Sequence, residues 1–271
     1  MGVKNLNFFS ISSDGRVTNW TLMKNKLEAE EVIKLKLVVD ESKGLSDNKK
    51  ETFLYGLAGG MCFDFNNHQD HLFLVGTEEG KIHLCSKAYS GQYLETYEGH
   101  YLAVYSVKWN KYHPRVFLSC SADWTVKMWD MQITRAIMTF DLGYAVGDVE
   151  WAPYSSTVFS AVTSAGLLYV WDLHQEKHTW MCEHQAMKKS NNNKALHLTF
   201  NYEDPIILVG DEMGGVNSFK LSTSLRQGPL VYIPSKEEEK EKDEKKKIPT
   251  SQELEQHKME SFLESLDKIV Y

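Results

Sequence analysis

A nine-residue pattern that returns at a nearly fixed interval constrains this chain more than any other feature. Aligned on the last position, its copies are SSDGRVTNW ending at Trp20, TEEGKIHLC at Cys85, SADWTVKMW at Trp129, TSAGLLYVW at Trp171 and DEMGGVNSF at Phe219. In every copy an apolar residue (Val17, Ile82, Val126, Leu168, Val216) precedes the last position by three. The intervals are 65, 44, 42 and 48 residues, and the first contains the polar run DESKGLSDNKK (40–50), read as a loop insertion. Ahead of the last four copies lie the alternating stretches GMCFDFN, VYSVKWN, VGDVEWAP and ALHLTFN, and alternation means that one face of a strand is covered. Apolar runs such as HLFLVG and RVFLSC follow, and a fourth strand comes after the signature, as in RAIMTFDL (135–142). Four strands per unit at this period predict a β-propeller of radially packed blades.

Composition excludes several function classes. With 30 basic and 37 acidic residues, a net charge of -7 gives no electrostatic basis for binding a nucleic acid. The N-terminal MGVKNLNFF has no leader-like apolar core, and no segment holds 18 uninterrupted apolar residues, so a soluble intracellular chain without membrane contact is expected. Cys62, Cys85, Cys120 and Cys182 are far apart, in no C-x-x-C pair, and each falls in an expected strand. They read as small buried hydrophobes, not zinc ligands. His174 and His178 flank a hairpin turn and do not share a helix face, so no metal is expected there. No glycine-rich stretch has the spacing of a phosphate cradle, and no cofactor is expected.

The third unit is the most complete. Gly99-His100 precedes its first strand, Asp123 occupies the turn and Trp129-Asp130 closes the third strand, which resembles the fingerprint of the WD-repeat family. That resemblance implies a buried hydrogen-bond chain through His100, Ser119, Asp123 and Trp129. A Ser-His-Asp catalytic triad is the competing reading, but no oxyanion-hole motif or nucleophile elbow accompanies it, and no catalytic residues are assigned. The other units depart from the pattern: Asp14 keeps the turn acid, whereas Glu79, Ala165 and Met213 replace it. Trp124 stands in the turn where glycine is usual, and is expected either to pack on a neighbouring blade or to anchor a partner.

Longer words are more specific. FLSCSADWTVKMWD, AVGDVEWAPYSSTVFSAVTSAG (145–166) and PIILVGDEMGGVNSFKLS (205–222) resemble the C-terminal propeller of dynein intermediate chains, over roughly residues 6–225. The resemblance implies a non-catalytic motor subunit of cytoplasm, cytoskeleton and ciliary axoneme that binds the dynein heavy-chain tail. A second intermediate chain and other dynein subunits would be further partners, and the microtubule would be reached indirectly. It also implies a ring of about seven blades, of which about five are present, so an open ring is expected. A generic adaptor, for example a ubiquitin ligase substrate receptor, is the alternative; such receptors often carry Arg two residues after the Trp-Asp, where Gln132 and His174 stand here.

The expected organisation is blades over 1–234, a charged linker over 235–249 and a C-terminal amphipathic helix over 250–271. The linker includes KEEEKEKDEKKK, with six lysines against six acids. Thr250 and Glu253 form a capping box, and Leu254, Phe262, Leu263, Leu266, Ile269 and Val270 recur at helical spacing. That stripe either folds back on the blades or lies in a partner's groove, which makes Leu254, Phe262 and Leu266 candidate partner-binding residues.

Overall fold

A computed structural model describes residues 6–37, 56–89, 91–187, 193–223, 225 and 250–267. The run at 40–50, the linker at 236–247 and Ile269 and Val270 lie outside them. The described residues form five consecutive antiparallel sheets and one helix. The first sheet holds β1 (Leu6–Ile11), β2 (Arg16–Leu22) and β3 (Leu27–Lys34). The second holds β4 (Gly60–Phe65), β5 (Leu72–Thr77), β6 (Ile82–Ser86) and β7 (Glu95–Tyr97). The third holds β8 (Val104–Trp109), β9 (Val116–Ser121), β10 (Thr125–Asp130) and β11 (Met138–Asp141). The fourth holds β12 (Val146–Trp151), β13 (Val158–Thr163), β14 (Leu167–Asp172) and β15 (Cys182–Gln185). The fifth holds β16 (Ala195–Phe200), β17 (Ile206–Asp211) and β18 (Val216–Lys220). The helix α1 is Ser251–Asp267. A fourth strand was expected after every signature; among the described residues the fifth sheet has three.

Within each sheet the strands run in sequence order, and each leading strand packs on the next: β4 on β8, β8 on β12, β12 on β16. The middle strands β5, β9 and β13 are buried along their whole length, as their unbroken apolar runs require. The signature positions occupy one register: Trp20 pairs with Phe8, Cys85 with Phe73, Trp129 with Phe117, Trp171 with Phe159 and Phe219 with Ile207. The preceding apolar residue points the other way, toward the following sheet. Val126 therefore joins the core shared with the fourth sheet, whereas Trp129 joins the core shared with the second. Val216 is exposed because no following sheet covers it among the described residues, and Phe8 is exposed on the opposite face of the first sheet. The two outermost sheets thus each carry an apolar face that the three inner sheets bury.

The helix begins at the expected box: the Thr250 N–H donates to the Glu253 carboxylate at 2.7 Å, and the Glu253 N–H donates to Thr250 Oγ1 at 3.3 Å. Its stripe folds back on the core between the third and fourth sheets. Met259 and Phe262 are buried there, with Leu263 and Leu266 half-buried beside them and Leu254 half-buried near the start.

Candidate functional site

The third sheet brings His100, Ser119, Asp123 and Trp129 into one connected chain. The Trp129 Nε1–H donates to Ser119 Oγ at 2.8 Å. Ser119 has one proton, and His100 Nε2 at 2.7 Å is positioned to accept it. That leaves the imidazole proton on Nδ1, which donates to Asp123 Oδ2 at 2.9 Å. One neutral tautomer therefore satisfies every polar atom in the chain. The pKa shifts agree: burial pushes the imidazole down, and outweighs the hydrogen bond and charge of Asp123 that push it up. Burial alone would raise the Asp123 carboxyl, but the hydrogen bonds from His100 and Thr125 outweigh it and hold the group below the usual carboxylate range.

The distances match a Ser-His-Asp triad, yet Ser119 has no exposed surface and its Oγ already bridges Trp129 and His100. No acyl substrate can reach it. The chain is instead a polar rivet, which joins the loop leading into β8 to the β9–β10 hairpin.

Its remnants elsewhere follow the same register. In the first sheet the Trp20 Nε1–H donates to Ser10 Oγ at 2.8 Å, so Ser10 is the counterpart of Ser119 that sequence reading passed over. In the fourth sheet Leu142, Ala161 and Ala165 replace histidine, serine and aspartate, and the buried Trp171 Nε1–H has no hydrogen-bond partner among the described residues. Sequence inspection also missed a second recurring device. Asn66, Asn110 and Asn201 close their leading strands and accept backbone N–H bonds from the turn that follows. The fourth sheet has Ala152 there. Its turn is bound by the helix: the Glu255 carboxylate, buried, accepts from the Ser156 N–H at 2.8 Å and Ser156 Oγ–H at 2.9 Å. The signal was legible, since GMCFDFN, VYSVKWN and ALHLTFN end in Asn and VGDVEWA does not.

Trp124 occupies the turn position held by Gly15, Gly80, Gly166 and Gly214 in the other sheets, whose φ angles run from 76° to 87°. Its own φ is 74°, and it is the one non-glycine residue with positive φ among the described residues. The left-handed conformation costs a side-chain-bearing residue roughly 1–2 kcal/mol. The side chain is more than half exposed, at 54%. A Cβ at Gly80, in the neighbouring sheet, would lie 2.7 Å from the His100 carbonyl oxygen.

At the opposite end of the sheets, near the start of α1, a cleft of about 410 Å³ is lined by Asp64, Lys108, Glu150 and Tyr202, among others. Asp64, Lys108 and Glu150 occupy the fifth position of successive leading strands, so their charges alternate across the row. Burial pushes the Asp64 carboxyl up to about 6 against the Trp109 N–H bond and the Lys108 charge, and Glu150 is raised likewise. Among the described residues no cluster of His, Cys, Asp or Glu could hold a metal ion, and no helix is long and apolar enough to cross a membrane. The four cysteines lie in strands; burial pushes the Cys62 and Cys85 thiols up to about 12.

Five successive sheets with this register and a single complete polar rivet define a WD-repeat β-propeller architecture. Residues 91–130 match the model of the WD domain, G-beta repeat. The fold is similar to a solved structure of the computationally designed Ika8 protein, with a TM-score of 0.56 and 17% identity over 81% of this chain and 57% of that one. At that identity the likeness concerns the fold alone. In sequence the chain belongs to the dynein intermediate chains. It is 56% identical to the ciliary dynein intermediate chain 2 of Heliocidaris crassispina, over 83% of this chain and 32% of that protein. It is 48% identical to the dynein axonemal intermediate chain 1 of Bos taurus, over 83% and 31%. It is 47% identical to the 78 kDa intermediate chain of the flagellar outer arm of Chlamydomonas reinhardtii, over 82% and 32%. The chain thus spans about a third of the length of these curated relatives.

Proposed function

We propose that this chain serves as a non-catalytic intermediate-chain subunit of an axonemal outer-arm dynein. In this reading its blades bind the tail of a heavy chain, beside a second intermediate chain, and so help assemble the arm and attach it to the ciliary microtubule. The observation that carries it is the 56% identity to a ciliary intermediate chain over 83% of the residues. The geometry supports a binding role over a chemical one, because the site that resembles a triad is sealed and spent on internal hydrogen bonds. His100, Ser119, Asp123 and Trp129 then hold the third blade rigid, and Trp124 stands on the surface they support. Leu254, Phe262 and Leu266 take part by fixing α1 on the blades, with the segment 235–249 as its tether. The test is sedimentation of a salt extract of axonemes through sucrose, probed with an antibody to residues 236–271. Co-migration with dynein heavy chains is expected; recovery only in light fractions refutes the assignment.

A further inference from the structure

We infer that the end of the third blade around Trp124 is a docking surface for a basic segment with an apolar side, such as one face of an amphipathic helix edged with Lys or Arg. The inference rests on the functional reading above and names the surface and the chemistry it would use. Three independent observations meet at this place.

The first is the conformation of Trp124. Four sister turns place glycine where positive φ is required, and only this one places the largest side chain there. A strained position occupied by a bulky side chain calls for a compensating role. Packing does not supply that role in full, because Trp124 is 54% exposed.

The second is what surrounds it. The Tyr101 N–H donates to Asp123, the residue beside Trp124, and the Leu142 N–H donates to the Trp124 carbonyl, so the loops carrying Tyr101, Leu102 and Tyr144 converge on the same turn. Tyr101 is 87% exposed, Leu102 52% and Tyr144 50%. Aromatic side chains held by short loops on a rigid blade are what interface hot spots are made of, and they lose little freedom on binding. The opposite end of this blade is already engaged, since α1 lies against the third and fourth sheets there.

The third is charge. Glu78 and Glu79 sit in the neighbouring turn, which abuts the His100–Leu102 backbone, and Asp141 precedes the loop that carries Tyr144. Among the described residues none of these three carboxylates is in an ion pair. Of the nearby lysines, Lys81 pairs with Glu98 at 2.7 Å, and Lys127 is buried, with its ammonium donating to Thr139. An apolar centre with an acidic border selects a basic partner and disfavours an anionic lipid surface or an acidic peptide.

The deciding experiment uses the full chain expressed in ciliated cells, with Trp124→p-benzoyl-phenylalanine as a photo-crosslinker. The extracted complex is irradiated and separated on sucrose, and the adducts are sequenced. The surface is supported by adducts to another polypeptide, in a segment of net positive charge with apolar residues along one side. Adducts confined to this chain, adducts to an acidic segment, or no adduct overturn it. Two further variants guard the result. Trp124→Gly restores the turn of the sister blades; it should lower partner recovery about tenfold or more while melting stays within about 3 °C. Glu78→Lys should weaken recovery at low salt and have little effect at high salt. The two readings separate cleanly: co-migration with heavy chains without an adduct removes this surface and leaves the subunit assignment, and the reverse pattern does the opposite.

Discussion

Replacing Ser119 by alanine removes the hub of the polar rivet and little else, since one oxygen atom is lost from a fully buried site. Two bonds go, at 2.7 and 2.8 Å, and each leaves a buried partner, the His100 Nε2 lone pair and the Trp129 Nε1–H. A buried polar atom stripped of its partner costs about 1–3 kcal/mol, which gives about 2–6 kcal/mol for the single change. The fourth blade then supplies a natural comparison, because Leu142 and Ala161 stand where His100 and Ser119 stand and the blade still forms. Copying it with His100→Leu and Ser119→Ala together leaves one orphan, the indole, as at Trp171, and frees Asp123 toward solvent. The double variant should therefore lose less than the sum of the two single variants, by about 1–3 kcal/mol of coupling. Urea denaturation followed by amide exchange in β9 and β10 measures all three. Losses that add to within about 0.5 kcal/mol would show that the residues do not act as a chain, and the rivet would have to be abandoned.

Other outcomes follow from the same structure. Phe262→Ala removes a buried ring from α1 at a cost of about 3–5 kcal/mol, enough to free a helix this short, so exchange should rise over 251–267 while β9 and β13 stay protected; unchanged protection of the helix would contradict its docking. Burial, aided by Lys81, pushes the His83 imidazole down to about 4, so its NMR resonances should not titrate between pH 7 and 5. Because the folded state disfavours its proton, its contribution is complete above about pH 6.5 and is lost as pH falls toward 4, a change on the order of 3 kcal/mol that His83→Gln should abolish. Gly80→Ala and Gly214→Ala both force a side chain to positive φ, but only the first meets backbone, at 2.7 Å; thermal melting should show a loss of about 1–2 kcal/mol at Gly214 and clearly more at Gly80.

Much of the fold was legible because each blade must bury a middle strand on both faces and cover one side of its leading strand, and those two demands write different patterns. The run HLFLVG and the alternation in VYSVKWN are the two demands in plain form, and they became β5 and β8. The rivet was legible in the third unit, where all four residue types stand at their stations, and only partly in the first, where Ser10 and Trp20 survive without a described histidine. The link between Glu255 and Ser156 was out of reach, since it joins positions 99 residues apart and replaces an asparagine by a carboxylate from another element. The stripe on α1 was read with Leu254 and Leu266 but without Met259, which is the most deeply buried of its apolar residues; spacing shows that a helix has a covered side, and only packing shows which residue sits deepest. For Trp124 the sequence showed an odd residue in a turn. The angle of 74° and the exposed neighbours turn that oddity into a surface.

The apolar faces that no described sheet covers, on the first and fifth sheets, bear on how the chain comes apart. In a row of sheets each one is held by its own ladder and by the faces it shares, so a member with one neighbour is held less than a member with two. The third sheet has neighbours on both sides and carries the complete rivet, whereas the outermost sheets have three described strands each and one flank that no other described sheet covers. Loss of structure should then travel inward from both ends, with exchange protection rising stepwise toward β9 and β10, and a protease working on partly opened molecules should release the outer sheets before it reaches the rivet. A partner seated on the third blade would grip the part of the molecule that lets go last.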